Sequence, residues 1–411
     1  MFKQKNLLII LTVILSFALI ISPIYSADWT MFQNSPNHTG FTEENSNFVS
    51  NLWSNKICSS INSTPAIHNN TLFLISSDGV LNSINMINGT INWHNDLSNN
   101  VSASPIIKDD LLLVGDLNGH FYGFNVSSHN IKWTFKAPKA IESTAVVSGD
   151  NVYFGCNDGK VYSLSIKDGK KNWNKQIGGK IKTPLTLSNN TLYFGSTNGG
   201  IYAIKSNDGS SIWNYTTGDE VLSAPAYSDG RVAIGSVDNT LYVLNSSNGN
   251  LLWKQEMDNK VISSPSIDGY NNNVYVGDDS GNISCLDLRD GTLKWSYLTG
   301  GAIKSSPAIL NSSIVVTSSD DTIYVLNKYS GNINMTYNPG AYLFNSPITT
   351  SPVVNGNTLF VAANDGYLYS IDLNKQDTPL SPYIYYDITI IILAIILIIA
   401  LFKFNNKRKN K

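Results

Sequence analysis

Six tryptophans of this chain, Trp53, Trp93, Trp133, Trp173, Trp213 and Trp253, stand 40 residues apart, and Trp295 follows after 42. Met335 takes the next place, 40 residues further on. A fixed period of this length arises when one supersecondary unit is stacked many times, so it constrains the fold before any local motif does. It also constrains the search for function. Residues repeated in every unit are expected to be scaffold, and function is expected where units differ.

Each unit carries four short runs rich in Val, Ile, Leu and Tyr, separated by Asn, Asp, Gly and Ser, as in Val261 to Trp295. Such runs between turn residues read as strands. Asp78-Gly79, Asp158-Gly159 and Asp365-Gly366 supply the positive φ of tight hairpins. No segment of the repeat region holds a 3.6-residue apolar period, which excludes helix there. Four antiparallel strands in each unit describe one propeller blade. Pro65, Pro105, Pro184, Pro225, Pro265, Pro307 and Pro352, with Ala145 in place of a proline, mark eight unit starts. The last unit stops one strand short at Ile371, while Leu52-Trp53 is a closing strand with no unit before it. The expected fold is therefore all-β, an eight-bladed propeller whose N-terminal strand completes the eighth blade, closing the ring and leaving no sheet edge free. The seven tryptophans Trp53, Trp93, Trp133, Trp173, Trp213, Trp253 and Trp295 are expected to wedge between blades, each burying roughly 150–250 Å².

The Gly-x-x-x-Trp endings (Gly89 to Trp93, Gly169 to Trp173, Gly209 to Trp213, Gly249 to Trp253, Gly291 to Trp295) resemble those of the quinoprotein-like, or PQQ-repeat, propellers. The Tyr-x-Leu and Tyr-x-Ile cores, such as Tyr162 to Leu164 and Tyr202 to Ile204, match too, as does the lead-in from Asp28 to Gly40. The resemblance covers residues 28–373 and implies the propeller fold. For function it implies two classes: quinone-dependent alcohol and sugar dehydrogenases, and non-catalytic members such as the outer-membrane-protein assembly lipoprotein and surface proteins. Fold alone does not choose between them.

The dehydrogenases, as the resemblance implies, hold quinone and calcium on the propeller axis, and many stack the quinone on a disulfide between adjacent cysteines. Here Cys58, Cys156 and Cys285 lie far apart in sequence, and there is no Cys-x-x-Cys-His haem site. The tryptophan left outside the wedge series is Trp29, in the lead-in. The five histidines, His38, His68, His94, His120 and His129, have no ligand spacing and read as turn or surface residues. Asp278 to Asn282 and Ser319 to Asp321 resemble calcium loops faintly but lack the remote bidentate Glu. No cofactor and no metal are expected. The residues leading into each unit's proline are small and hydroxylated, as strands crowding a narrow channel require. Glu142, Lys182 and Lys304 depart from that sameness and are the candidate ligand-binding residues of the axial mouth.

Residues 1–27, with Lys3 and Lys5 before an apolar stretch, have the layout of a signal peptide. After a short linker at 374–383, residues 384–404 form an apolar segment long enough to span a bilayer, and the basic tail at 405–411 is expected in the cytoplasm. These segments carry more positive than negative charge. Without them the whole-chain formal charge of −2 becomes −8 for residues 28–383, a poor balance for nucleic-acid binding. About a dozen Asn-x-Ser/Thr sequons allow glycosylation, although the abundance of Asn alone accounts for most of them. The profile resembles that of surface proteins of methanogenic archaea.

The expected molecule is thus a single-pass membrane protein with its propeller on the extracellular face, acting without catalysis as a protein- or glycan-binding platform in envelope assembly or adhesion. The alternative is a PQQ-dependent dehydrogenase with calcium and quinone on the axis. Tyr342, Leu343 and Phe344, in an insertion before the last unit, are the candidate partner-binding residues, since exposed aromatics favour binding hot spots.

Overall fold

The computed structural model describes residues 29–40, 42, 50–97, 99–339 and 347–373. Their strands form eight four-stranded antiparallel sheets. The first blade shows the plan, with strands Ala66–His68, Thr71–Ile75, Val80–Asn85 and Ile91–Asp96 in that order from axis to rim. Burial follows the same gradient. The second and third strands are almost wholly buried between neighbouring blades, while the fourth alternates between exposed and half-buried positions.

The ring closes as expected. Ser50–Lys56 pairs antiparallel with Tyr367–Asp372 and becomes the outer strand of the eighth blade. Ser370 stands opposite Trp53 there, as Ser163 stands opposite Trp173 in the third blade. Closure does not abolish sheet edges, however. Each blade still ends in an outer strand with a free edge, because hydrogen bonding runs outward from the axis and stops at the fourth strand. Every one of these outer strands is bulged next to its Trp or Met335. Bulges and polar side chains are the usual means of keeping an edge from recruiting another chain.

The two lapses in the period have separate causes. Met335 pairs with Val325 as Trp295 pairs with Cys285, so it fills the wedge position. The 42-residue step comes from the inner hairpin of the sixth blade, where Gly269, Tyr270, Asn271 and Asn272 join Ser266–Asp268 to Asn273–Gly277. The first blade makes the same connection with only Asn69 and Asn70. Among the described residues no helix is long and apolar enough to cross a membrane. The expected leader at 1–27, linker at 374–383, span at 384–404 and tail at 405–411 lie outside the described residues, as do Tyr342, Leu343 and Phe344.

Candidate functional site

The chain crosses from blade to blade on one face of the ring, which we term the crossover face. The inner hairpins, such as Asn69-Asn70, turn on the opposite face. Between the two faces, the axis is occupied by the protein's own lead-in. Residues 29–40 run around the inside of the ring and meet the innermost strands in turn. The Trp29 carbonyl accepts from the Ile67 amide (2.8 Å) and the Thr30 carbonyl from Ile107 (2.9 Å). Met31 packs against the cluster containing Ala145 and Val147 of the third blade. Pro36, Asn37, Thr39 and Gly40 then accept from the amides of Leu187, Tyr227, Ile267 and Ile309 at 2.7–3.0 Å. The lead-in is not extended throughout: Phe32–Asn34 form a short 3-10 turn, and Gln33, Asn34 and His38 have positive φ.

Two side chains of the lead-in, Gln33 and His38, are buried inside the ring. Gln33 is buried and reaches the opposite side of the axis, where its Nε2 donates to Pro265 O (3.2 Å) and Ser266 Oγ (3.1 Å) of the sixth blade. The Gly40 amide donates to Gln33 O at 3.2 Å, so the belt bonds to itself. Gly40 is needed there, because a Cβ would lie 2.7 Å from Ser266 Oγ and φ is +67°. His38, expected at a turn or surface, is buried instead. Thr186 Oγ1 donates to Pro225 O and so accepts from His38 Nδ1, at 2.8 Å. Burial pushes the His38 pKa down to about 3, leaving a neutral imidazole. The lead-in was visible in the sequence as a motif, but nothing in it pointed to the axis.

On the crossover face, Asn62, Ser102, Glu142, Lys182, Leu222, Ile262, Lys304 and Thr349 surround the axial mouth, Asn62 and Lys304 exposed and the others half-buried. Two of the three candidate residues come together: Lys182 Nζ lies 3.2 Å from Glu142 Oε2, and Asn157 Nδ2 donates to Glu142 Oε1. Lys304 stands apart, exposed and with no ion-pair partner among the described residues. The pair is partly solvated and so contributes little to stability. The hydroxyls next to this ring are structural, as their small size suggested. The Thr64 amide donates to Ser104 Oγ (3.0 Å), the Ser104 amide to Thr144 Oγ1 (3.1 Å) and the Ser306 amide to Ser351 Oγ (3.0 Å). The Ser351 amide donates to Thr64 Oγ1 (3.4 Å), which ties the eighth blade to the first.

The wedge tryptophans are spent on the scaffold. The indole N–H groups of Trp53, Trp133, Trp173, Trp213, Trp253 and Trp295 each donate to a carbonyl of the next blade at 2.8–3.1 Å. Cys156 and Cys285 are buried and Cys58 half-buried, and burial raises their thiols to about 11, 12 and 11 respectively. Such thiols are poor nucleophiles. Cys156 Sγ donates to Lys139 O as Ser196 Oγ does to Lys180 O, so it is a serine position that drifted. Among the described residues no three His, Cys, Asp or Glu side chains gather closely enough to hold a metal ion. The Asp320 loop is a hairpin turn whose carboxylate accepts from the Thr322 and Gly300 amides and the Tyr324 hydroxyl.

The family model for outer membrane protein assembly factor BamB matches residues 50–185 and 178–378. The chain belongs to this family. Among curated relatives, the beta-alanine-activating enzyme of Danio rerio is 28% identical over 113 residues, 26% of this chain and 9% of that protein. The outer membrane protein assembly factor BamB of Moranella endobia is 24% identical over 103 residues, 25% of this chain and 26% of the relative. The matches thus span well under half of either relative's length. Among solved structures, BamB from Moraxella catarrhalis superposes with a TM-score of 0.68 at 17% identity, over 79% of this chain and 99% of that one. A europium-containing methanol dehydrogenase superposes at 0.74 with 12% identity, over 84% and 98% of the two chains. At such identities the structures share a fold and no more.

Proposed function

We propose that this chain is a non-catalytic, membrane-anchored propeller that binds a protein or glycan on the outer side of the cell envelope, in assembly or adhesion. The observation that carries this reading is the lead-in lining the inside of the ring, with Gln33 reaching across the axis. A quinone and its calcium would need the axis for themselves, with converging oxygen ligands. The axial mouth instead offers one carboxylate, Glu142, already engaged by Lys182 and Asn157. The three cysteines are separate and unpaired, so they offer a quinone no disulfide of adjacent cysteines to stack on. The family's name, that of an assembly factor, points the same way, and proteins are the favoured partner class.

Binding falls to the loops of the two faces, with Glu142, Lys182 and Lys304 at the crossover mouth and Tyr342, Leu343 and Phe344 in the insertion as contact residues. The apolar segment at 384–404 is the anchor, with 1–27 as leader. The methanol dehydrogenase likeness is the specific reason to keep the quinone reading as a competitor. Incubating the full-length chain with quinone and calcium, then following dye reduction with alcohols and sugars, separates the two; sustained turnover overturns the platform reading. Photo-crosslinking from Leu222 and Ile262 in intact cells is expected to trap envelope proteins, while positions on the outer strands do not. Protease accessibility of the propeller in intact cells tests its orientation.

A further inference from the structure

The third strands of four of the eight blades follow a rule. A tyrosine in them donates its hydroxyl to an aspartate of its own hairpin: Tyr122 to Asp116, Tyr162 to Asp158, Tyr242 to Asp238 and Tyr324 to Asp320. Three of these rings also lie against an aromatic on the outer strand of the preceding blade, with centroids 5.5 Å apart for Phe135–Tyr162, 5.7 Å for Tyr215–Tyr242 and 5.9 Å for Tyr297–Tyr324. The sixth blade breaks both parts of the rule, as does the first, where Asn82 and Asn55 hold the two places. Ser284 stands at the tyrosine position, and Gln255 stands where the preceding blade would offer its aromatic.

The fold does not collapse into the gap. A cavity of about 170 Å³ remains, lined by Gln255, Glu256, Asp258, Asp278, Asn282 and Ser284 among others. That is roughly ten times the 10–15 Å³ one water needs. Its wall carries three carboxylates and no basic side chain. Asp278 is fully buried; its Oδ1 accepts from the Ser280 and Asn282 amides, at 2.9 and 3.1 Å, and its Oδ2 has no hydrogen-bond partner among the described residues. Asp116, at the same place in the second blade, uses its Oδ2 on Tyr122 and His120. The sixth blade therefore keeps the second blade's acceptor and lacks its tyrosine donor; in the third, fifth and seventh blades the aspartate stands two residues later, where the sixth blade has Ser280.

We propose that this cavity receives a basic side chain, a guanidinium or ammonium, presented by the protein partner. The inference rests on the platform reading above and adds the partner's chemistry to it. Charge complementarity favours a cation. A compact metal ion fits poorly, because no three acidic side chains gather around one point among the described residues. An organic cation spreads its donors over a wider span, and Met257, Leu286 and Leu293 in the wall suit its methylene stem.

The test titrates purified full-length chain with Nα-acetyl-arginine methylamide, using the neutral citrulline analogue as control. The arginine probe is expected to saturate, the citrulline probe not, and binding to weaken with salt. Asp278→Asn is expected to weaken it roughly 30-fold or more. Since that variant also disturbs the hairpin, Ser284→Tyr supplies a second arm: it restores the arrangement of the second blade and should raise the melting temperature while abolishing binding. Equal binding of both probes, undiminished binding by Ser284→Tyr, or a response to calcium alone overturns the proposal. If the crosslinked partner of wild-type protein is retained by Ser284→Tyr and the arginine probe never binds, the cavity proposal fails and the platform reading stands. If the arginine probe binds but no partner is ever trapped, the platform reading fails instead.

Discussion

The spacing Gly-x-x-x-Trp has a reason that lies between blades. Gly249 packs on the face of Trp213, the preceding blade's tryptophan; a Cβ there would come within 2.7 Å of the indole, and φ is +74°. Gly89, Gly169, Gly209, Gly291 and Gly331 stand against Trp53, Trp133, Trp173, Trp253 and Trp295 in the same way. The second blade has His129 at this position, with φ at 55° and its ring 4.4 Å from that of Trp93. Trp93 is also the wedge tryptophan without an indole hydrogen bond to the next blade among the described residues. His129→Gly is therefore expected to stabilise the protein by about 1 kcal/mol, through relief of left-handed strain and a better-seated indole. Gly249→Val should cost about 2 kcal/mol or more. Urea unfolding checks both, read as a moved midpoint with unchanged slope. An unmoved midpoint in His129→Gly would mean that the imidazole–indole contact offsets the strain. The tryptophan wedges could be read from sequence because they repeat. The partner of each glycine could not, since the Trp four residues on is not the one it touches.

At the scale of the element, the lead-in and one ion pair carry what the repeat does not. Neutral His38 lies in the axis with a pKa of about 3 against an ordinary 6.5. Between those values the unfolded chain binds a proton that the folded belt refuses. Its contribution is therefore complete above about pH 6.5 and is lost as the pH falls toward 3. Thermal midpoints measured across that window should fall less steeply for His38→Asn than for the wild type; parallel slopes would sink the argument. The ion pair joins Lys328 to Asp268, 2.8 Å apart and both buried, across the sixth and seventh blades. Lys328→Met leaves a buried carboxylate unpaired and is expected to cost about 3–5 kcal/mol. Adding Asp268→Asn should recover much of that loss, measured by the same unfolding midpoints. Lys328 could be seen in the sequence as odd, since Ser246 and Leu288 hold its place in the two preceding blades. Its partner, 60 residues earlier, could not. The Asp278 cavity was hidden for a related reason: Ser284 looks like a conservative polar variation until the vacant tyrosine slot is seen beside a buried acceptor.

At the scale of the whole molecule, stability depends on joining the two ends of the ring. Seven blades form from consecutive strands, so each is local in the chain, whereas the eighth needs Ser50–Lys56 to find Tyr367–Asp372. Counting unit starts against unit endings made this closure legible, because a missing strand at one end and a spare one at the other leave a single economical solution. The belt adds a second tie, from Trp29 to Gly40 across seven blades, and the Ser351–Thr64 bond a third. Deleting residues 1–56 removes the outer strand of the eighth blade, the Trp53 wedge against the first blade and the belt together. It exposes the full edge of Tyr367–Asp372. A long unpaired edge recruits other chains, so the truncated protein should self-associate rather than unfold to a monomer, as sedimentation would show. Deleting residues 1–42 spares the strand and the wedge and should give a destabilised monomer. If that shorter deletion also associates, the belt and not the strand is what keeps the ring closed.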